Sequence, residues 1–417
     1  MTATEVKKRE SVTRGPSGVI FACAVLASAL TGPGQTIGVS VFIDHFVDDL
    51  SLSRPQVSTA YLIGTLTGSI FLPAVGRFID RNGVRRAQLI IGVLFAGALL
   101  NMSFVQGFVT LAIGFVGIRM LGQGALNLTA TVTVSLRFTE NRGTALGLFS
   151  MSTAGLMALV PIGLAVVISM VGWRQAWVVA AIIIASTVIP LAWFGLRSMP
   201  TNSQVADELE TADTLGYTRS QAVRTRGFWI LAAISSAAGM LSTALNFHQI
   251  DLLQSAGLSE TAAAGMFLPQ VLGSTLAALG FGMMADRLGT RYLPALSISL
   301  LALALLLAAV AEPGLRAITY AIVLGAAGGA VVTVSTTLLP KWFGTSHLGS
   351  IQGTLTLINV GASATGPVTL ALLHGSIGSY PPAVVGLALI PLTVVVFALV
   401  PPFNSGNDQT SEALHTR

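Results

Sequence analysis

The chain has 417 residues, of which 53% are apolar and only 9% charged, with 22 Lys and Arg against 17 Asp and Glu. A soluble domain carries about 25% charged residues, and a surface built from so few would expose apolar patches that soluble monomers rarely carry. A soluble enzyme, a disordered chain and a nucleic-acid binder are thereby excluded. The pI near 9.8 does not restore the last of these, because the basic residues fall in short clusters between apolar runs. The single Cys23 excludes a disulfide framework within the chain, and five scattered His give no metal-ligand spacing, so no metal and no catalytic group is expected.

Residues 1–17 are polar and basic, with Lys7, Lys8, Arg9 and Arg14, and the long apolar run after them is read as a first membrane helix rather than a removable signal. Roughly 20 mostly apolar residues cross the hydrocarbon core. That window predicts twelve spans, at about 18–42, 56–75, 88–106, 109–135, 144–170, 175–196, 227–250, 261–282, 292–311, 315–339, 348–373 and 382–402. The expected domains are an N-terminal tail (1–17), a six-helix bundle (18–196), a central hydrophilic loop (197–226), a second six-helix bundle (227–402) and a C-terminal tail (403–417). Lys and Arg cluster in alternate loops, at residues 7–14, 77–86, 137–142, 197–226, 287–291 and 341, while the other loops hold only Arg54, Arg174 and Arg316. By the positive-inside rule both termini are expected in the cytoplasm.

The chain repeats. Gly76, Asp80, Arg81, Gly83 and Arg85, which follow the second span, recur 206 positions later as Gly282, Asp286, Arg287, Gly289 and Arg291. The same offset carries Gly147, Gly155 and Pro161 onto Gly353, Gly361 and Pro367. One offset across separate helices indicates two halves of common descent.

Twelve spans, a central loop and GxxxDRxGxR between spans two and three resemble the major facilitator superfamily of transporters. Arg119-Met-Leu-Gly122-Gln123-Gly124 resembles that superfamily's fourth-helix signature. The resemblance implies an all-α membrane fold of two pseudo-symmetric six-helix bundles working by alternating access. Gly172-Trp173-Arg174 and the segment Ser51-Leu-Ser-Arg-Pro-Gln-Val-Ser58 further resemble bacterial members related to monocarboxylate and oxalate carriers. Those carriers commonly have an Arg in the eighth span, and residues 261–282 contain none.

Arg119 is the sharpest candidate for substrate contact, since a charge inside the membrane costs at least ~2.5–3.5 kcal/mol and normally faces a cavity or a partner. Gln123 and Asn127 follow at i+4 and i+8 on roughly the same helix face. A guanidinium fork matches a carboxylate. The alternative is an Arg that bonds backbone carbonyls of a neighbouring helix. The acidic residues Asp44, Asp48, Asp49, Asp251 and Glu260 all lie near predicted outer ends, so the mid-membrane charge is positive and the substrate is expected to be anionic or neutral. Gly32-Pro33-Gly34 is expected to break the first span and present Gln35. His248, Gln249, Gln270 and Asn359 complete the polar candidates, whereas Ser335, Thr336 and Thr337 are read as helix packing. By resemblance, Gly76, Asp80, Arg81, Gly83, Arg85, Asp286, Arg287 and Arg291 form an inner gate; the alternative is membrane anchoring by Arg85 and Arg86.

No GxxxxGK[ST] motif is present, so a proton gradient rather than a cofactor is the expected energy source. The leading reading is a non-enzymatic, monomeric, multi-pass carrier in the bacterial inner membrane. It would move a small monocarboxylate-like organic anion by proton symport, with the lipid bilayer as its other partner. Proton-coupled efflux of drugs or metabolites, and a transport-inactive membrane sensor, stand as alternatives.

Overall fold

The computed structural model describes residues 17–138, 142–197, 199, 216–287, 291–344 and 348–401. Nearly all of them are helical, and each of the twelve predicted windows coincides with helix. Ten helices are long and apolar enough to cross a membrane, the bent pair Arg54–Ile70 and Leu72–Ile79 makes an eleventh, and Leu293–Ala309 is a shorter apolar helix of 17 residues. Large apolar side chains such as Ile70, Ile113, Met170, Leu315 and Val396 stand exposed on these helices. Hydrocarbon lipid, not water, is the medium that such a surface suits, and helices satisfy their backbone polar groups internally there.

The described residues divide into two compact units, one comprising those up to 199 with Asn246–Leu268, the other those of 216–245 and from 269 onward. The seventh span, Arg226–Ser255, thus gives its last turns to the first unit.

In the first unit the expected break in span one is present. Helix Ser17–Ala29 stops, Gly32–Gly34 form a 3-10 turn around Pro33, Gln35 is extended (φ −88°, ψ 160°), and helix resumes at Thr36. The second span starts from a capping box, with Ser53 accepting from the Gln56 backbone and Gln56 accepting from Ser53, and with Pro55 in its first turn. It packs against the fourth span, where Cβ atoms at Gly64 and Gly68 would lie 2.6 Å from Phe115 and 3.1 Å from Met120. Small residues let membrane helices approach this closely. The turn from span two into span three rests on Gly83, whose φ of 74° and ψ of 156° lie in a region open essentially to glycine alone. The fifth span, expected as one helix, is instead broken between Arg142–Met157 and Val160–Val171, because Pro161 has no N–H to extend the preceding turn.

In the second unit the ninth span packs on the tenth and the twelfth, as the third packs on the sixth in the first unit. Spans eight and ten meet backbone to backbone. Gly325 lies against the Gln270 carbonyl, Gly329 against that of Ser274, and Gly273 against that of Ile322. Ahead of the seventh span, Gly216 bridges antiparallel to Gly344 and Tyr217 donates its N–H to the Phe343 carbonyl at 2.8 Å.

Candidate functional site

Arg119 begins an eight-residue π-helix, Arg119–Leu126, inserted between the α-helical stretches Phe108–Ile118 and Asn127–Arg137. The sequence reading took this stretch as regular α-helix. Close packing accompanies the difference: a Cβ on Gly122 would stand 2.6 Å from the Phe95 ring and one on Gly124 2.6 Å from Leu72. Single π turns inside α-helices recur at functional sites.

Arg119 is buried, 5% exposed as a residue. Its Nε donates to Thr65 Oγ1 at 3.1 Å and its Nη1 to the Gly34 carbonyl at 3.2 Å. Its guanidinium carbon sits 4.6 Å from the centre of the Tyr61 ring, close enough for a cation–π attraction. The break in span one is what turns the Gly34 carbonyl out of its own helix and makes it available. Both functions weighed for Arg119 are therefore compatible with its position: it fastens spans one, two and four, and it carries no carboxylate partner among the described residues.

Around it a polar network runs through spans one, two and four. Ser28 donates to Asn127 Oδ1 at 2.6 Å, Thr31 donates to the Ser28 carbonyl, and Gln35 Nε2 donates to Thr31 Oγ1 at 3.0 Å. Thr36 and Tyr61 share a hydroxyl bond of 2.6 Å. Arg119, Asn127 and Gln35 thus all belong to the polar contacts of spans one, two and four. Gln123, which follows Arg119 in the π-helix, has a buried Oε1 with no hydrogen-bond partner among the described residues. Tyr61, Thr65, Ser28 and Thr31 are members that sequence reading missed. Thr65, Ser28 and Thr31 appear in sequence only as small polar residues on apolar helices, indistinguishable from packing serines and threonines, and Tyr61 only as one aromatic residue in an apolar span.

His248 and Gln249 are buried at the end of the seventh span, in the first unit, where His248 meets the Phe247 ring edge-on and Phe247 meets Tyr61 at 4.6 Å. Nearby, Arg54 Nη2 reaches both Asp44 Oδ1 (2.8 Å) and Asp251 Oδ1 (2.6 Å). The motif Gly172-Trp173-Arg174 is a clasp in this unit: Trp173 Nε1 donates to Asp49 at 2.5 Å, and Arg174 donates to the carbonyls of Ser103 and Val105 while stacking on Trp173.

In the second unit Gln270 is half-buried at the glycine contact just described. Asn359 lines a cleft of about 280 Å³ formed by spans seven, ten and eleven, with Ser235, Ser242, Ser335, Thr336, Gln352 and Thr356 in the same wall. Ser335 and Thr336, read from sequence as packing residues, therefore face a cavity, although Ser335 also bonds Ser235 at 3.2 Å.

Of the gating candidates, Gly76 lies within helix and Gly83 makes the turn. Arg85 donates to the Trp193 carbonyl at 3.1 Å and covers that ring, Arg81 is exposed, and Arg291 covers Tyr292. The side chains of Asp80, Asp286 and Arg287 lie outside the described residues.

Apolar helices of membrane-crossing length, a buried cation and a cleft set with neutral polar side chains are the features of a membrane transport protein. The family model of the Major Facilitator Superfamily matches residues 20–276 and 231–416, and the chain belongs to that superfamily. An uncharacterized MFS-type transporter of Bacillus subtilis (strain 168), YcxA, is 25% identical over 268 residues. That match covers 61% of this chain and spans 64% of the relative's length. Among solved structures, a bacterial homolog to the human lysosomal transporter Spinster, in an inward-facing and occupied conformation, superposes with a TM-score of 0.70 at 16% identity. It covers 91% of this chain and 94% of that one. The nucleoside transporter NupG superposes with a TM-score of 0.70 at 15% identity, covering 92% and 97%. At these identities the structural likeness is one of fold.

Proposed function

We propose that this transporter carries a small organic anion of the monocarboxylate class across the bacterial cytoplasmic membrane, driven by a proton gradient, with Arg119 as the counter-charge. The observation that carries the reading is buried Arg119, whose guanidinium is held by two neutral oxygens and a ring and has no carboxylate partner among the described residues. A buried charge without a counter-ion is costly by several kcal/mol, so an arriving carboxylate is stabilised there in a way that a cation or an apolar drug is not. Gly34, Thr65 and Tyr61 fix the guanidinium before the anion arrives, which lowers the ordering cost of binding. Placement of both termini in the cytoplasm, action as a monomer, and gating at the predicted inner ends by Asp80, Arg81, Asp286 and Arg287 belong to the same proposal. Its test is uptake into proteoliposomes of a panel of monocarboxylates, dicarboxylates and cationic dyes, with and without an imposed pH gradient. Carboxylate uptake that rises with inward proton flow is expected. Uptake or exclusion of cationic dyes alone, indifferent to carboxylates, overturns the proposal.

A further inference from the structure

The cleft of the second unit has a mostly apolar wall set with the neutral polar side chains of Ser235, Ser242, Ser335, Gln352, Thr356 and Asn359, and none of its lining residues is ionisable. Three helices build it in the same manner. Gln352, Thr356 and Asn359 stand at i, i+4 and i+7 of the eleventh span, on one face. The seventh span faces them with Ser235 and Ser242, and the tenth with Ser335 and the open flank of Gly328. Gln352, Thr356, Asn359 and Ser242 make no hydrogen bond to any described residue. Such a stripe inside a membrane span costs several kcal/mol unless water or a solute completes it. Hydroxyls and amides each offer donor and acceptor together, and no counter-charge is present to receive an ion. The apolar remainder of the wall, Val331, Val332 and Leu355, suits the C–H face of a hydroxylated carbon chain. A volume of about 280 Å³ falls at the low end of ligand sites, which span roughly 300–1,000 Å³, and limits the guest to a small molecule.

We propose that this cleft is a binding site for a small, uncharged, polyhydroxylated solute or solute moiety, held by Asn359, Gln352, Thr356 and Ser242. It goes beyond the anion reading and does not rest on Arg119. Two glycines of the wall respond differently to a side chain. Gly239 lies against the side-chain oxygen of Asn359, so any Cβ there displaces the amide. Gly328 has nothing within 4 Å of where its Cβ would be, so a larger side chain grows into open space without a clash.

The experiment places one thiol in the cleft, Val332→Cys in a Cys23→Ala background, and follows its labelling by an uncharged maleimide in the purified protein. A hexitol should slow labelling several-fold in a saturable manner, while 1,6-hexanediol, of similar length with most hydroxyls removed, should not. Asn359→Leu should raise the protecting concentration roughly two- to tenfold, the loss of neutral hydrogen bonds, and Gly328→Leu should abolish protection. Unprotected labelling in the hexitol, or equal protection by hexanediol, overturns the proposal on the parent background alone. Persistent protection in a Gly328→Leu protein that melts and elutes like its parent does so as well. The anion reading fails separately, on carboxylate binding and its dependence on Arg119.

Discussion

Spans four and ten occupy equivalent places in the 206-residue repeat, and the offset sets Arg119 against Gly325. In the first unit the arginine opens an eight-residue π-helix and ties spans one, two and four together through oxygens and a ring. In the second unit the tenth span runs as helix from Leu315 to Phe343, and its glycines press directly on the carbonyls of span eight. The prolines of the repeat diverge in the same direction: Pro161 separates two helices, while Pro367 sits inside the continuous helix Leu348–Ile377. Of two halves related by one repeat, the first thus breaks its first, fourth and fifth spans and holds a buried cation, whereas the second keeps its tenth and eleventh spans continuous, breaks its twelfth at Ala388, and holds a cleft without ionisable lining. Local backbone irregularity goes with charge because an ion inside the membrane needs backbone oxygens that a regular helix keeps for itself.

The largest effect is expected at Arg119. Arg119→Lys keeps the charge and loses the planar fork, and Arg119→Gln loses both. Removing a hydrogen bond to a charged group costs ~1.5–3 kcal/mol, so carboxylate affinity should fall roughly tenfold to more than a hundredfold in Arg119→Gln and by less in Arg119→Lys. Wild-type carboxylate affinity in purified, monodisperse Arg119→Gln leaves the residue only its fastening role between helices.

Two glycines one turn apart in the tenth span differ in what surrounds them. Gly325→Ala drives a methyl into the Gln270 carbonyl and should lower stability in detergent by about 1–3 kcal/mol. Gly328→Ala meets nothing within 4 Å and should be neutral or stabilising by up to roughly 1 kcal/mol through helix propensity. Equal melting temperatures for the two variants would show that spans eight and ten are not in backbone contact.

Gly83→Ala forces a side chain into a glycine-only region, at an expected cost of order 1–3 kcal/mol, read as lowered folded yield and melting temperature with ligand affinity per folded molecule unchanged. Unchanged stability would mean that the turn between spans two and three takes another conformation. The smallest effect is expected for Ser53→Ala, which removes the cap of the second span and typically costs ~1 kcal/mol. Faster amide hydrogen exchange confined to residues 54–58 is the signature to look for, and unchanged exchange there would argue against the capping box.

Composition and hydropathy pattern were enough for the class of protein: each predicted window falls on helix, and ten or eleven of the helices are long and apolar enough to cross a membrane, because the hydrocarbon core demands an apolar stretch of fixed length; the 206-residue offset exposed the repeat. The sequence also located the break at Gly32-Pro33-Gly34, since proline and glycine act through the backbone of their own segment. Arg119, Gln35, Asn127 and Asn359 were visible as polar outliers on apolar helices. The tertiary structure alone decided the rest. The π-helix at Arg119 and the partners Tyr61 and Thr65 depend on which helix lies alongside, and no periodicity within one span records that. Ser335 and Thr336 look like packing residues in sequence and face a cleft in space, because a small hydroxyl satisfies its own helix carbonyl or a cavity equally well. The clasp of Trp173 and Arg174 was noticed as a motif, yet its bonds to Asp49, Ser103 and Val105 join residues 69 to 124 positions apart, and only packing brings such residues within reach.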